Sequence, residues 1–106
     1  MQMTSQEVFK IIADEIGEDW GRSNLHGCDL HACLVTPEQR LYSDFRDESK
    51  TLEMWLVLEE HPDTHTGYRI VFDEREQQFG LAIEGKNGRD IWLGYYGNFI
   101  QAFDGM

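Results

Sequence analysis

From Thr51 onward the apolar residues fall at every second position, and no other feature restricts the fold of this chain as strongly. Leu52, Met54, Leu56 and Leu58 alternate with Glu53, Trp55, Val57 and Glu59. Tyr68, Ile70 and Phe72 make a second set, Phe79, Leu81 and Ile83 a third, and Ile91, Leu93 and Tyr95 a fourth. Successive side chains of an extended backbone point to opposite faces, so a period of two is strand spacing. The segments between the sets, Glu60 to Gly67, Asp73 to Gln77 and Gly85 to Asp90, are short and polar, with turn-forming Pro, Asp, Asn and Gly. Asn87-Gly88 is a strong hairpin signal. Four strands joined this way predict an antiparallel meander.

The first half reads differently. Thr4 and Glu7 form a capping-box pattern, and Val8, Ile11, Ile12 and Ile16 recur at helical spacing. Gly17 stands where a helix cap is expected, so the first helix should span residues 5–16. Leu25, Leu30 and Leu34 are more loosely spaced, and a short helix is expected over 28–34. Thr36-Pro37-Glu38-Gln39 reads as a further helix start, with Leu41, Tyr42 and Phe45 as its apolar face. That reading predicts a helix over 37–46, with the charged run Arg46 to Lys50 as its exit. Gly97-Asn98 opens a last short helical segment over 99–103.

The expected fold is therefore α+β and a single domain over 1–106. N-terminal helices pack on one face of a four-stranded antiparallel meander sheet, and a short C-terminal helix closes it. The alternation assigns Leu52, Met54, Leu56, Leu58, Tyr68, Ile70, Phe72, Phe79, Leu81, Ile83, Ile91, Leu93 and Tyr95 to the core face. The opposite face then carries Trp55, Trp92 and Tyr96 among small residues, bordered by Glu53, Glu59, Glu84 and Arg69. Aromatics rimmed by charge have the composition of an interface. Burial of that face under other elements is the competing expectation.

The net charge is −11, and the two halves carry −5 and −6, so the acidity belongs to the whole surface and not to a tail. Such a surface repels phosphate backbones and anionic lipid, which argues against nucleic-acid and membrane binding. It attracts basic proteins and speeds their encounter. The first ten residues lack the basic patch and apolar run of a signal peptide, so a cytoplasmic location is expected. Meander geometry gathers Asp73, Glu74 and Glu76 at one end of the sheet with Tyr95 and Tyr96. At the other end Glu59, Glu60 and Asp63 meet Lys86 and Arg89. The first end, which combines carboxylates with tyrosines, is the candidate docking region for a basic partner, and together with the second face it makes Trp55, Trp92, Tyr96, Asp73, Glu74 and Glu76 the candidate partner-binding residues.

One local pattern carries chemistry. In His26-Gly-Cys28-Asp29-Leu-His31-Ala-Cys33, four side chains are of types that bind zinc. The spacing is unlike the separated ligand pairs of structural zinc sites, and two buried thiols with surface imidazoles are the simpler expectation. No phosphate loop, nucleophile elbow or metalloprotease motif is present, and no cofactor is called for. In size and acidity the chain is similar to immunity proteins and other inhibitors of bacterial toxins, a likeness of composition carried by no motif. The sequence thus points first to a small acidic protein that works by protein–protein contact. The alternatives are a metal or thiol enzyme centred on His26, Cys28, His31 and Cys33, and a homo-oligomer joined through the Trp55/Trp92 face.

Overall fold

Local signals set the helices. In the computed structural model, which describes residues 3–24, 27–85 and 89–106, α1 spans Ser5–Ile16. Thr4 Oγ1 accepts the Glu7 N–H at 3.2 Å and Glu7 Oε1 accepts the Thr4 N–H at 2.9 Å, so two orphan donors of the first turn are satisfied. Val8, Ile12 and Ile16 are buried along one stripe. Gly17 ends the helix at φ 61°, a conformation that glycine adopts without steric cost. The helix expected over 28–34 is a single turn, α2 (Leu30–Cys33), capped by Asp29. The C-terminal helix is α3 (Phe99–Gly105), with a capping box of Asn98 and Gln101. Leu25, His26, Lys86 and the Asn87-Gly88 pair lie outside the described residues.

The helix expected over 37–46 is a strand. β1 (Leu34–Asp44) pairs antiparallel with β2 (Asp47–His61), and the intervening residues Phe45 and Arg46 form a hairpin turn. A capping signal is worth about 1 kcal/mol, and cross-strand pairing along β2 outweighs it. Pro37 lies within an irregularity between Leu34 and Glu38, where its missing N–H costs no ladder bond. Tyr42 is fully buried, but Leu41 and Phe45 remain 52% exposed, so they do not form the apolar helix face read from their spacing.

This extra strand changes the architecture. β2, β3 (Thr66–Asp73), β4 (Gln78–Ile83) and β5 (Asp90–Gly97) form the expected antiparallel succession, but the sheet has five strands rather than four. β1 also pairs in parallel with β5, through Tyr42 with Asp90, Ser43 with Ile91 and Asp44 with Trp92. The sheet therefore closes into a barrel.

Closure produces two apolar clusters. Tyr42, Met54, Val71, Ala82 and Trp92, one from each strand, fill the lumen. Gly80 leaves room there, since a Cβ on it would stand 2.4 Å from Gly94 O and 2.9 Å from Trp92 Nε1. Outside the barrel, Trp55, Val57, Leu58, Ile70, Phe72, Phe79 and Leu81 pack with Val8, Ile12, Leu30, Phe99 and Phe103 of the helical segments. Phe79 makes the central aromatic contacts, 4.7 Å from Phe72 and 5.6 Å from Phe99 between ring centroids.

The face assignment needs correction in β2 and β5. Leu56 pairs with Val71 but Leu58 pairs with Ile70, so Val57 is an inserted residue that reverses the alternation. Met54 thus belongs to the lumen and Trp55 to the outer cluster, opposite to their period-two assignment. Trp55 and Trp92 do not share a surface; they are 7% and 4% exposed, in different clusters. Tyr95, read as a core residue, is 41% exposed, beyond a register shift and beside Gly94 at φ 140°. No helix among the described residues is long and apolar enough to cross a membrane.

Trp55 provides a test of this assignment. Trp55→Ala should cost about 3–5 kcal/mol of unfolding free energy, the range for truncating a packed tryptophan. Urea denaturation measures it, and a cost under about 1 kcal/mol would contradict the packing.

Candidate functional site: an aromatic and carboxylate patch at one end of the barrel

The seam between β1 and β5 ends at the hairpin turn, and the turn chemistry begins with Asp44. Its Oδ1 accepts the backbone N–H of Arg46 at 2.9 Å, the local bond that makes aspartate a turn former. The same carboxylate takes the guanidinium, with Arg46 Nε donating to Oδ1 at 3.2 Å and Nη2 to Oδ2 at 3.1 Å. Two parallel bonds from a planar fork fix the guanidinium in orientation as well as position. These bonds hold the Asp44 carboxyl below its ordinary value. Phe45 N–H donates to Trp92 O at 3.1 Å and fastens the turn to β5.

So held, the Arg46 guanidinium carbon lies 5.7 Å from the Phe45 ring centre and 5.8 Å from that of Trp92. Both distances fall within the reach of cation–π attraction. Tyr95 meets Trp92 edge to face, with centroids 4.8 Å apart and planes at 72°. Its hydroxyl donates to Asp73 Oδ2 at 2.7 Å. Asp73 is itself buried, and its Oδ1 accepts the Arg75 N–H at 3.0 Å. Loss of solvent around the Tyr95 hydroxyl, its bond to Asp73 and the charges of Asp73 and Glu76 push its pKa up to about 12. Phe45 and Trp92 thus flank one guanidinium that Asp44 holds, and Tyr95 packs against Trp92 with its hydroxyl on Asp73.

The end of the sheet singled out from sequence is the end where this patch forms. Trp92 and Asp73 belong to it, and exposed Glu76 adds charge beside Tyr95. Glu74 is occupied internally: it accepts the Trp55 Nε1–H at 3.1 Å, the Gln39 Nε2–H at 3.3 Å and the Met3 N–H at 3.0 Å. Trp55 therefore positions Glu74 from within the outer cluster and adds nothing to the surface. Tyr96 is 44% exposed and its ring neighbours Gly105. Asp44, Phe45 and Arg46 were missed as site residues, and Tyr95, placed at this end, was read as a core residue. The signal for the first three was Asp44 two positions before Arg46, a side-chain-to-backbone turn pattern that the helix assignment concealed.

The opposite end of the barrel uses its charges to close a turn. Glu59 and Arg69 are nearly inaccessible charged side chains, and they pair across β2 and β3. Arg69 donates to Gly67 O at 2.9 Å and to His65 O, and His65 Nδ1 lies 3.0 and 3.1 Å from the two carboxylate oxygens of Glu59. Arg69 Nε is 3.0 Å from Asp90 Oδ2 but outside hydrogen-bonding geometry. Burial raises the Asp90 carboxyl, with Arg69 opposing the shift.

Cys28 and Cys33 are free, buried thiols of the outer cluster. Cys33 Sγ–H points to Glu60 O at 3.6 Å. His31 is exposed, with its ring 5.9 Å from that of Trp20, so it stands away from the thiols on the surface. Among the described residues no group of three His, Cys, Asp or Glu side chains has the geometry to hold a metal ion. Burial first, then Cys33 and Glu60, push the Cys28 thiol up to about 12. The chain matches no protein-family model, and no curated protein or solved structure is significantly similar to it.

Two titrations check this geometry. The Tyr95 hydroxyl is neutral in the fold above the pH at which a free tyrosine ionises, so its contribution to stability is complete below about pH 10 and is lost as pH rises through about 12. Ultraviolet titration of the wild type and Tyr95→Phe should show that the substitution removes a late-ionising tyrosine; loss of an early one would contradict the bond to Asp73. At pH 8 Cys28 should react with iodoacetamide at least ~100-fold more slowly than free cysteine, read by mass spectrometry of the labelled peptide. A rate matching free cysteine would contradict its burial.

Proposed function

We propose that this protein is a binding module for a basic protein partner and that the patch of Phe45, Trp92 and Tyr95 with Asp44 and Asp73 is where the partner docks. One observation carries the reading: the chain's bases are largely engaged by its own acids. Lys10 pairs with Asp14, Arg22 with Asp19 and Asp104, Arg40 with Glu38, Arg46 with Asp44, Arg69 with Asp90 and Arg75 with Asp73. With 20 Asp and Glu against nine Lys and Arg, the acids exceed the bases and the net charge is −11. A basic partner therefore meets an anionic field in which most of the cations are already paired, and its approach is accelerated.

Two exposed aromatics, Phe45 and Tyr95, locate the contact within that field. Tyr, Trp and Arg dominate binding energy at interfaces, and side chains already fixed before binding lose less entropy on association. Tyr95 is fixed by Asp73, and Phe45 is fastened by its N–H bond to Trp92 O. Self-association through the same surface is opposed by the like charge of two copies. Inhibition of a basic enzyme or toxin, as an immunity-type protein performs it, is one role this binding would serve.

The test is a salt series of pull-downs from cell lysate, followed by affinity measurement on the retained partner. Binding should weaken steeply between low and physiological salt. Phe45→Ala should reduce affinity by about 30-fold, the effect of losing one interfacial hot spot. Retention that is indifferent to both salt and Phe45→Ala, or a partner with no basic surface, would refute the reading.

A further inference from the structure

The patch already contains a cation, and that cation belongs to the chain itself. Asp44 is a nearly inaccessible carboxylate, its side chain 9% exposed, whereas the Arg46 side chain that neutralises it is 66% exposed. The receptor is therefore built into the barrel and its occupant is not. Asp44 is fixed by the β1–β5 seam, Phe45 by its N–H bond to Trp92 O, and Trp92 by the lumen. Arg46 is attached through a flexible side chain, by one bidentate ion pair and two ring contacts.

We propose that Asp44, Phe45 and Trp92, with Tyr95 beside them, form a guanidinium-binding site in which Arg46 stands in for an arginine of the partner and is displaced by it. The proposal rests on the reading of this protein as a binder of basic proteins and names the group recognised. The exchange is close to balanced by construction. An incoming guanidinium makes the same two bonds to Asp44 and covers the same two rings, so the buried carboxylate is not left unpaired. The displaced Arg46 side chain, two-thirds exposed before the exchange, moves fully into water at little further cost. Exposed ion pairs and exposed cation–π contacts are individually weak, so the resident arginine can be outcompeted.

The exchange also gives selectivity. An ammonium group is a point charge without the planar fork, so lysine cannot reproduce both bonds to the carboxylate in one plane. An unoccupied Asp44 would attract any cation; with Arg46 in place, only a group that matches its geometry gains by replacing it.

The experiment measures binding of a short arginine-rich peptide, its lysine counterpart and its glutamate counterpart to the full chain by calorimetry at low salt. Arg46→Ala should tighten the arginine peptide about tenfold, because competition is removed, and should tighten the lysine peptide less. Arg46→Gln should act in the same direction. Asp44→Asn in the Arg46→Ala background should abolish the gain, while its side-chain oxygen still closes the turn. Amide resonances of Phe45, Trp92 and Tyr95 should shift on binding, and thermal melts identify any variant that has not folded. Equal or weaker arginine-peptide binding by the folded Arg46 variants would overturn the proposal. If the wild type still binds basic peptides in a salt-dependent way, that result leaves the acidic-binder reading standing. Absence of binding by all forms would overturn both.

Discussion

Tyr42 with Asp90, Ser43 with Ile91 and Asp44 with Trp92 are the pairs that turn a five-stranded sheet into a barrel. A sheet of these strands without them would have two open edges and would expose one apolar face to water. With them, Tyr42, Met54, Val71, Ala82 and Trp92 share a closed lumen, and the other face is free to pack against helical residues. The helical segments of this chain pack against the outer face of the sheet. Closing the sheet on itself buries one face without any added segment.

The same seam positions the patch. Asp44 is the last residue of β1 and Trp92 its partner on β5, so the turn that follows Asp44 is laid against the indole by the strand register. The bond from Phe45 N–H to Trp92 O continues that pairing one residue past the end of the strand. Tyr95 then reaches Asp73 from β5 across to β3. Backbone pairing places these groups, and side-chain bonds among Asp44, Arg46, Asp73 and Tyr95 hold their orientation.

The legibility of the fold in the sequence followed the physics of each segment. α1 was readable because its cap, stripe and terminal glycine agree, and β3 and β4 because their alternation is unbroken. β1 was not, because Thr36, Pro37 and Gln39 resemble a helix start and strand pairing is a long-range property that no local pattern records. Val57 hid the true faces of β2, since one inserted residue reverses every assignment on one side of it. The candidate site was legible as a region and not as a set of residues. Meander geometry singled out Asp73 and Glu76 and the alternation of faces singled out Trp92, whereas Glu74 and Trp55 are engaged with each other. Asp44, Phe45 and Arg46 were obscured by the error in β1. Closure by β5 was beyond the sequence reading, because a parallel pair requires no hairpin and leaves no turn signature.

The seam has a kinetic side as well. It joins residues 42–44 to residues 90–92, about half the chain apart, whereas every antiparallel pair joins strands that are neighbours in sequence. Bringing distant segments together costs more loop entropy than zipping a hairpin, so the seam is the contact least favoured early in folding. Asp44, Phe45 and Arg46 lie on one side of it and Trp92 and Tyr95 on the other. A chain that has formed its hairpins but not its seam possesses all five side chains and no patch, which makes recognition by this surface a report that folding is complete.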